Sequence, residues 1–249
     1  KFPHHECEIA QNVGACGSTP VRYWMHTNML NFNGQKMSKS LGNSILPMQF
    51  STGDHPLLDK PYSAMTVRFL FMQSHYSSEL DITIKGLQDA EKGLRKLMNA
   101  AKYLSELKFD SVTIEEKKDK IIRDLCDECK TVMDDDFNAP KLIAVLHELA
   151  THINIYHNDG NKINNVSDAT YNLLLTTYNA YLNDVLGLKD EEQNGNNAAL
   201  DKVMQLVIDI RKQSRENKDW TTSDKIRDAL KDANINIKDG KDGTTYEVL

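Results

Sequence analysis

This sequence predicts a mainly α-helical chain in which the end of an α/β domain runs into a helical bundle and closes on a small α+β module. Three observations carry that reading. Gly14, Gly17, Pro20, Gly34, Gly42 and Pro47 break the first fifty residues into short apolar pieces, the punctuation of mixed strand and turn structure. From residue 87 to 186, apolar side chains recur at helical spacing in three long stripes. The last fifty residues combine two helix-length periodic stretches with an alternating hairpin pattern.

In chain order, the mixed opening covers residues 1–50, and a Gly53/Pro56 loop spans Ser51 to Lys60. The first stripe is Leu87, Ala90, Leu94, Leu97, Met98, Ala101, Leu104 and Leu107, and the second is Leu142, Val145, Leu146, Leu149, Ile153 and Tyr156. The third runs Tyr171, Leu174, Leu175, Tyr178, Tyr181, Leu182, Val185 and Leu186. Each stripe has to be buried against its neighbours, and a bundle does this most economically. Asn138-Ala139-Pro140 is a helix start, with Asn as cap and Pro where its missing N–H costs nothing. Asp134, Asp135 and Asp136 lie just ahead of it, where acidic groups favour the coming helix N-terminus without any metal. A polar linker from Glu191 to Asn197 precedes helices at Ala198–Asn217 and Thr222–Ala233, then a hairpin from Asn234 to Val248 turning at Asp239 to Gly243.

Composition narrows the class. No apolar run approaches the roughly 20 residues that span a bilayer, so a soluble, non-membrane chain is expected. Four cysteines and nine methionines among 249 residues point to a reducing compartment, the cytosol. The net charge of −6 does not suit a protein that coats nucleic acid by bulk charge. Charge is uneven, however: residues 211–231 hold seven Lys/Arg against four Asp/Glu, while residues 115–136 hold nine acidic against five basic. A basic end on an acidic body suits a local nucleic-acid contact. The opening at Lys1, directly followed by the dense polar run His4-His5-Glu6-Cys7-Glu8, suggests a missing upstream piece.

The strongest chemical signal is Lys36-Met37-Ser38-Lys39-Ser40, followed by Leu41-Gly42-Asn43. Two lysines three apart on a Gly-flanked loop can set both ammonium groups on one polyphosphate. Charge builds on pyrophosphate as it leaves an α-phosphorus, and cations already in place lower that barrier. Gly34 and Gly42 allow such a loop to close and reopen. His4 and Glu8, four apart, share a helix face and can hold one metal; His5 points about 100° away. Cys126 and Cys129 form a Cys-x-x-Cys with no second pair to make a zinc ribbon, and Ile121, Ile122, Leu125, Val132 and Met133 around them mark ordinary helix thiols.

The lysine loop resembles the second signature of class I aminoacyl-tRNA synthetases. Phe2-Pro3-His4-His5-Glu6 with Glu8-Ile9-Ala10-Gln11, then Tyr23-Trp24-Met25-His26, Asp134 to Asn138 and Lys218-Asp219-Trp220, are similar in order to the cysteinyl-tRNA synthetases. That resemblance implies a Rossmann-type catalytic domain ending near residue 50, a connecting region over 51–110, a DALR-like bundle over 111–190 and an anticodon module over 197–249. It implies ATP (with Mg2+), cysteine and tRNA-Cys as substrates, with Lys36 and Lys39 catalytic and residues 36–40 binding ATP. It makes His4 and Glu8 two of four zinc ligands, the others being upstream cysteines, and gives Arg215, Asp224 and Asp239 the three anticodon bases, with Trp220 stacking or supporting. A monomer is expected. Arg–guanine and Asp–cytosine contacts are chemically sensible, and zinc prefers a thiolate to serine's hydroxyl.

Cys7 departs from the family, which commonly has Asn there, and the first signature, His-x-Gly-His, is missing. The expectation is therefore no ATP–pyrophosphate exchange by this chain alone. Simpler roles compete at the far end: Arg215 pairing with Asp219, Asp224 in a capping box with Thr221, Asp239 in a turn. Two other activities compete as well. One is a related cysteine:amino-sugar ligase, which should lack the terminal module. The other is a non-catalytic tRNA-binding scaffold.

Overall fold

The computed structural model describes residues 3–19, 21–110, 113–191, 197–217, 219–233, 235–240 and 243–248, of which 197–202, 216, 236, 238–240, 243, 245, 247 and 248 are described by their backbone alone. The chain divides into one unit over Lys1–Lys189 and a second over Asp190–Leu249.

The first unit opens with helix α1 (His4–Cys16), which buries none of its residues. The His5 ring stacks on His26 at 4.8 Å and on Trp24 at 6.0 Å, so one side of α1 leans on the extended segment that follows. Strands β1 (Leu30–Phe32) and β2 (Gln35–Lys36) form an antiparallel hairpin. Its turn residues Asn33 and Gly34 have φ of 50° and 74°, the positive pair that a tight two-residue hairpin requires and that Asn-Gly tolerates. Strand β3 (Leu80–Ile82) adds parallel to β1, so three residues from far beyond the mixed opening complete its sheet. Helix α2 (Pro47–Thr52) takes in Ser51 and Thr52, which the sequence assigned to the loop, and it buries Phe50.

The remaining helices form the expected bundle. They are α3 (Ala64–Met72), α4 (Ile84–Glu106), α5 (Glu116–Asp134), α6 (Ala139–Asn158) and α7 (Asp168–Asn179). Side-chain caps fix several starts: Ser63 accepts from the Thr66 N–H, Thr83 from Gly86, Asn138 from Lys141 and Ser167 from Thr170. Helix α4 packs against α3 and α6, and α5 against α6 and α7. The three stripes meet there: Leu87, Leu97, Leu104, Leu142, Leu146, Leu149, Ile153, Leu174, Tyr178 and Leu182 are all shut off from solvent. The Tyr178 hydroxyl satisfies itself inside this core by donating to the Leu97 carbonyl at 3.1 Å, and burial pushes its pKa up. The third stripe changes pitch partway. Residues Ala180–Val185 are π-helical, a widened turn that the apolar spacing does not reveal. A parallel pair, β4 (Lys108–Phe109) and β5 (Lys162–Ile163), ties the end of α4 to the α6–α7 connection.

The Asp134–Asn138 run joins α5 to α6 through two residues in the left-handed region, Asp136 at φ 56° and Phe137 at φ 54°. Each costs of order 1–3 kcal/mol unless its surroundings enforce it. The Tyr76 hydroxyl bonds to Asp136 Oδ1 at 2.6 Å, His75 Nε2 lies 2.9 Å from the Asp136 carbonyl, and Lys141 pairs with Asp135 at 3.1 Å. These acids therefore work within a clamped connection.

The second unit consists of α8 (Asn197–Glu216), α9 (Trp220–Asp232) and an antiparallel hairpin, β6 (Ile235–Gly240) and β7 (Gly243–Val248). Helix α9 packs on both α8 and β6. Met204, Ile208 and Arg211 form the buried face of α8.

Candidate functional site

The lysine loop begins on β2, where Lys36 is exposed at the end of the hairpin. Met37 turns inward and lines an apolar cavity of about 490 Å3 with Ile45, Phe50, Val67, Phe71 and Ile82. Ser38 caps a short 3-10 turn over Lys39–Leu41, accepting from the Leu41 N–H, and Gly42 closes it at φ 66°. Lys39 faces solvent again. The motif therefore alternates: an apolar anchor at Met37 lies between two outward ammonium groups.

Asn43 holds this arrangement. Only 7% exposed, it accepts from the Ser38 N–H at 2.8 Å and donates to the Lys36 carbonyl at 3.2 Å. One amide thus ties Lys36 to Ser38, the residue just before Lys39. Asp81 on β3 does the same for the hairpin tip, accepting from the Gly34 N–H at 2.8 Å. Sequence reasoning assigned neither residue a role. An Asn after Gly reads as an ordinary turn residue, and only tertiary structure shows which atoms its amide meets.

His4 and Glu8 lie one turn apart on α1, both exposed. Two donors at this spacing suit part of a metal site, but among the described residues no group of three or more His, Cys, Asp or Glu side chains could hold an ion. Cys7, also exposed, does not complete one. Among the described residues, His4 and Glu8 therefore stand as a pair of possible donors and not as a closed site. Neither this pair nor Lys36 and Lys39 lines the cavity behind Met37. Cys126 and Cys129 are helix thiols, free and buried on α5. Burial pushes them up to about 11 and about 12 respectively, away from the thiolate form that binds metal.

In the second unit, Arg215 sits in the last turn of α8, and a cleft of about 280 Å3 is lined by Ile208, Arg211, Lys212, Arg215 and Thr244. Trp220 opens α9 and is 58% exposed; Asp224 lies one turn later, also exposed. Asp239 pairs in register with Thr244 across the hairpin, which sets its backbone beside the cleft; its side chain lies outside the described residues, as does Lys218.

Two of the simpler roles do not match the fold. The cap of α9 is Asp219, whose carboxylate accepts from the Thr222 N–H at 3.1 Å and the Thr222 hydroxyl at 2.6 Å. The helix therefore begins two residues before the expected Thr222, and Asp224 stands beyond the capping positions, pairing instead with Arg227 at 3.1 Å. The carboxylate of Asp219, suggested as Arg215's partner, is used in capping Thr222. Asp239 likewise belongs to a strand, not a turn.

Residues 1–92 match the family described as tRNA synthetases class I (C) catalytic domain, and residues 130–189 match the DALR domain. The chain is 44% identical over 249 residues to the cysteine--tRNA ligase of Porphyromonas gingivalis, with 99% of this chain and 49% of that protein aligned. The cysteine--tRNA ligase of Parabacteroides distasonis is also 44% identical over the same extent, and that of Cytophaga hutchinsonii is 40% identical over 248 residues, covering 98% and 49%. The chain spans about half the length of the curated relatives it matches.

Proposed function

We propose, from the match of residues 1–92 to the class I (C) tRNA synthetase catalytic domain and of residues 130–189 to the DALR domain, that the chain works as part of a cysteine--tRNA ligase. The reaction is ATP-dependent formation of cysteinyl-adenylate followed by transfer of cysteine to tRNA-Cys. The observation that carries the reading is the lysine loop, where Met37 is anchored in an apolar cavity and Asn43 ties Lys36 to Ser38. That geometry commits Lys36 and Lys39 to solvent on a fixed stretch of backbone.

As the cysteine carboxylate attacks the α-phosphorus, the bond to pyrophosphate breaks and negative charge grows on the leaving group. Lys36 and Lys39 meet that charge, with the Ser38 and Ser40 hydroxyls and the backbone at Met37 completing the ATP-binding stretch. Removing one such preorganised donor in an enzyme costs on the order of 10²–10³ in rate. His4 and Glu8 would hold zinc together with donors from outside this chain; when bound, the metal favours a thiolate over a hydroxyl and so cysteine over serine. Arg215, Trp220, Asp224 and Asp239 read the anticodon at the end of α8, the start of α9 and the hairpin. The cytoplasm is the matching compartment, and a monomer suffices for every contact invoked.

Fluorescence anisotropy with the 249-residue chain tests the RNA half of this reading. A labelled tRNA-Cys transcript should bind more tightly than the same transcript with its anticodon replaced. Equal binding of the two, or binding of neither, would reject the anticodon assignment.

A further inference from the structure

In the first unit a groove of about 510 Å3 lies between the end of α3 and the facing sides of α4 and α6. Its polar lining is Gln73 from α3's cap, Lys92 and Lys96 from α4, and His147, Thr151 and Asn154 from α6. Lys92 and Lys96 stand at i,i+4, where like charges oppose one another by a few tenths of a kcal/mol. Neither takes part in a described ion pair or hydrogen bond; Asp89, the carboxylate in the lining, is held by Lys85 at 2.7 Å and also feels the charge of Lys92. The side-chain amides of Gln73 and Asn154 and the His147 ring have no described hydrogen-bond partner either, although all three face the same space.

The floor is built by close packing. The His147 ring meets Phe69 edge-on at 6.4 Å. A Cβ at Gly93 would lie 2.9 Å from Phe69 Cε1 and 3.7 Å from His147 Nε2, so α4 leaves room for both rings by carrying no side chain there. Burial, and after it the Lys96 charge, holds His147 below its ordinary pKa, which keeps an uncharged N–H donor beside two cations. Two ammonium groups with no described ion pair, two amides and an imidazole outnumber the single carboxylate, Asp89, around this groove, and they suit a ligand rich in anionic oxygens.

We propose that this groove seats phosphate groups of an RNA backbone, with Lys92 and Lys96 supplying charge and Gln73, Asn154 and His147 supplying hydrogen bonds. The source of the phosphate rests on the tRNA reading above; the site itself does not. Each phosphate neutralised contributes about 0.7–0.9 to the slope of log K against log salt. The test measures labelled tRNA-Cys binding to the full 249-residue chain between about 50 and 200 mM KCl. Lys92 and Lys96 are exposed, so K92A/K96A should fold, and it should reduce the slope by about 1.4–1.8. The control is K117A/K120A, which removes two exposed lysines from α5 and should leave the slope unchanged.

If K92A/K96A keeps the wild-type slope, or the two double variants lose equal amounts, the groove proposal is overturned and the tRNA reading stands. If wild type binds no tRNA, that reading fails, and inorganic tripolyphosphate becomes the probe. A shift of the His147 ring resonances in wild type, absent in K92A/K96A, then supports a site for free phosphates; no shift overturns it.

Discussion

Replacing Asn43 by alanine removes an amide that is 7% exposed and bonded to both the Ser38 N–H and the Lys36 carbonyl. Each lost hydrogen bond is worth about 0.5–1.5 kcal/mol net, so the loop should lose about 1–3 kcal/mol of local order. At about 1.4 kcal/mol per tenfold, the Ser38 amide should exchange with solvent roughly fivefold to a hundredfold faster. Hydrogen exchange followed by NMR reads that amide directly, and urea unfolding reports whether the rest of the unit has weakened. Asn43→Asp separates the two bonds, because it keeps an acceptor for Ser38 but sets a carboxylate oxygen against the Lys36 carbonyl. It should preserve Ser38 protection while loosening Lys36. Unchanged Ser38 exchange in Asn43→Ala, accompanied by a lower unfolding midpoint, would refute the claim that this residue ties Lys36 to Ser38.

Asp119 gives a pH prediction. Burial raises its pKa, but the Ser167 N–H at 2.7 Å, the Thr170 and Ser167 hydroxyls and Arg123 at 2.9 Å outweigh that and hold it below 3.8. Its stabilisation is therefore present at neutral pH and lost as pH falls through the folded value. Asp119→Asn should cost about 1.5–3 kcal/mol near pH 7, and urea titrations should show the gap to wild type closing below about pH 4; a constant gap would reject the ionised role. Under native conditions near pH 8, an alkylating agent should modify the exposed Cys7 and Cys16 and spare the buried Cys126 and Cys129, as mass spectrometry can check. Asp224→Ala should weaken discrimination at the middle anticodon base in tRNA binding; normal discrimination with a lower melting temperature would reduce Asp224 to its pairing with Arg227.

The bundle was legible because long stripes such as Leu87 to Leu107 repeat the helical period many times, and because Asn138 and Pro140 announce a start that local chemistry enforces. Short elements were not. Strand β3 is three residues long and exists through its pairing with β1, which no local pattern encodes. The π turn at Ala180–Val185 keeps the same apolar spacing as the α-helix before it. At the start of α9, a capping box on Thr221 was the expectation, and the bonds that Thr222 makes place the cap at Asp219 instead. Within the lysine loop, residue types revealed the charges, while the inward turn of Met37 depends on residues brought in from α2, α3 and β3, and the tie through Asn43 depends on how the loop folds back on itself. The groove on α4 and α6 was invisible for the same reason. Lys92 and Lys96 belong to a groove only once the fold places Gln73 and Asn154 beside them.

Cysteine-dependent ATP–pyrophosphate exchange tests the central claim, that Lys36 and Lys39 serve a nucleotide's phosphates. It should be measured on the 249-residue chain alone and on one polypeptide with the upstream half of the Porphyromonas gingivalis relative joined ahead of Lys1. The chain alone should show no exchange. The joined protein should show exchange, reduced on the order of 10²–10³ in each of Lys36→Ala and Lys39→Ala. Robust exchange by the chain alone, or full exchange by the joined protein carrying both substitutions, would contradict that claim.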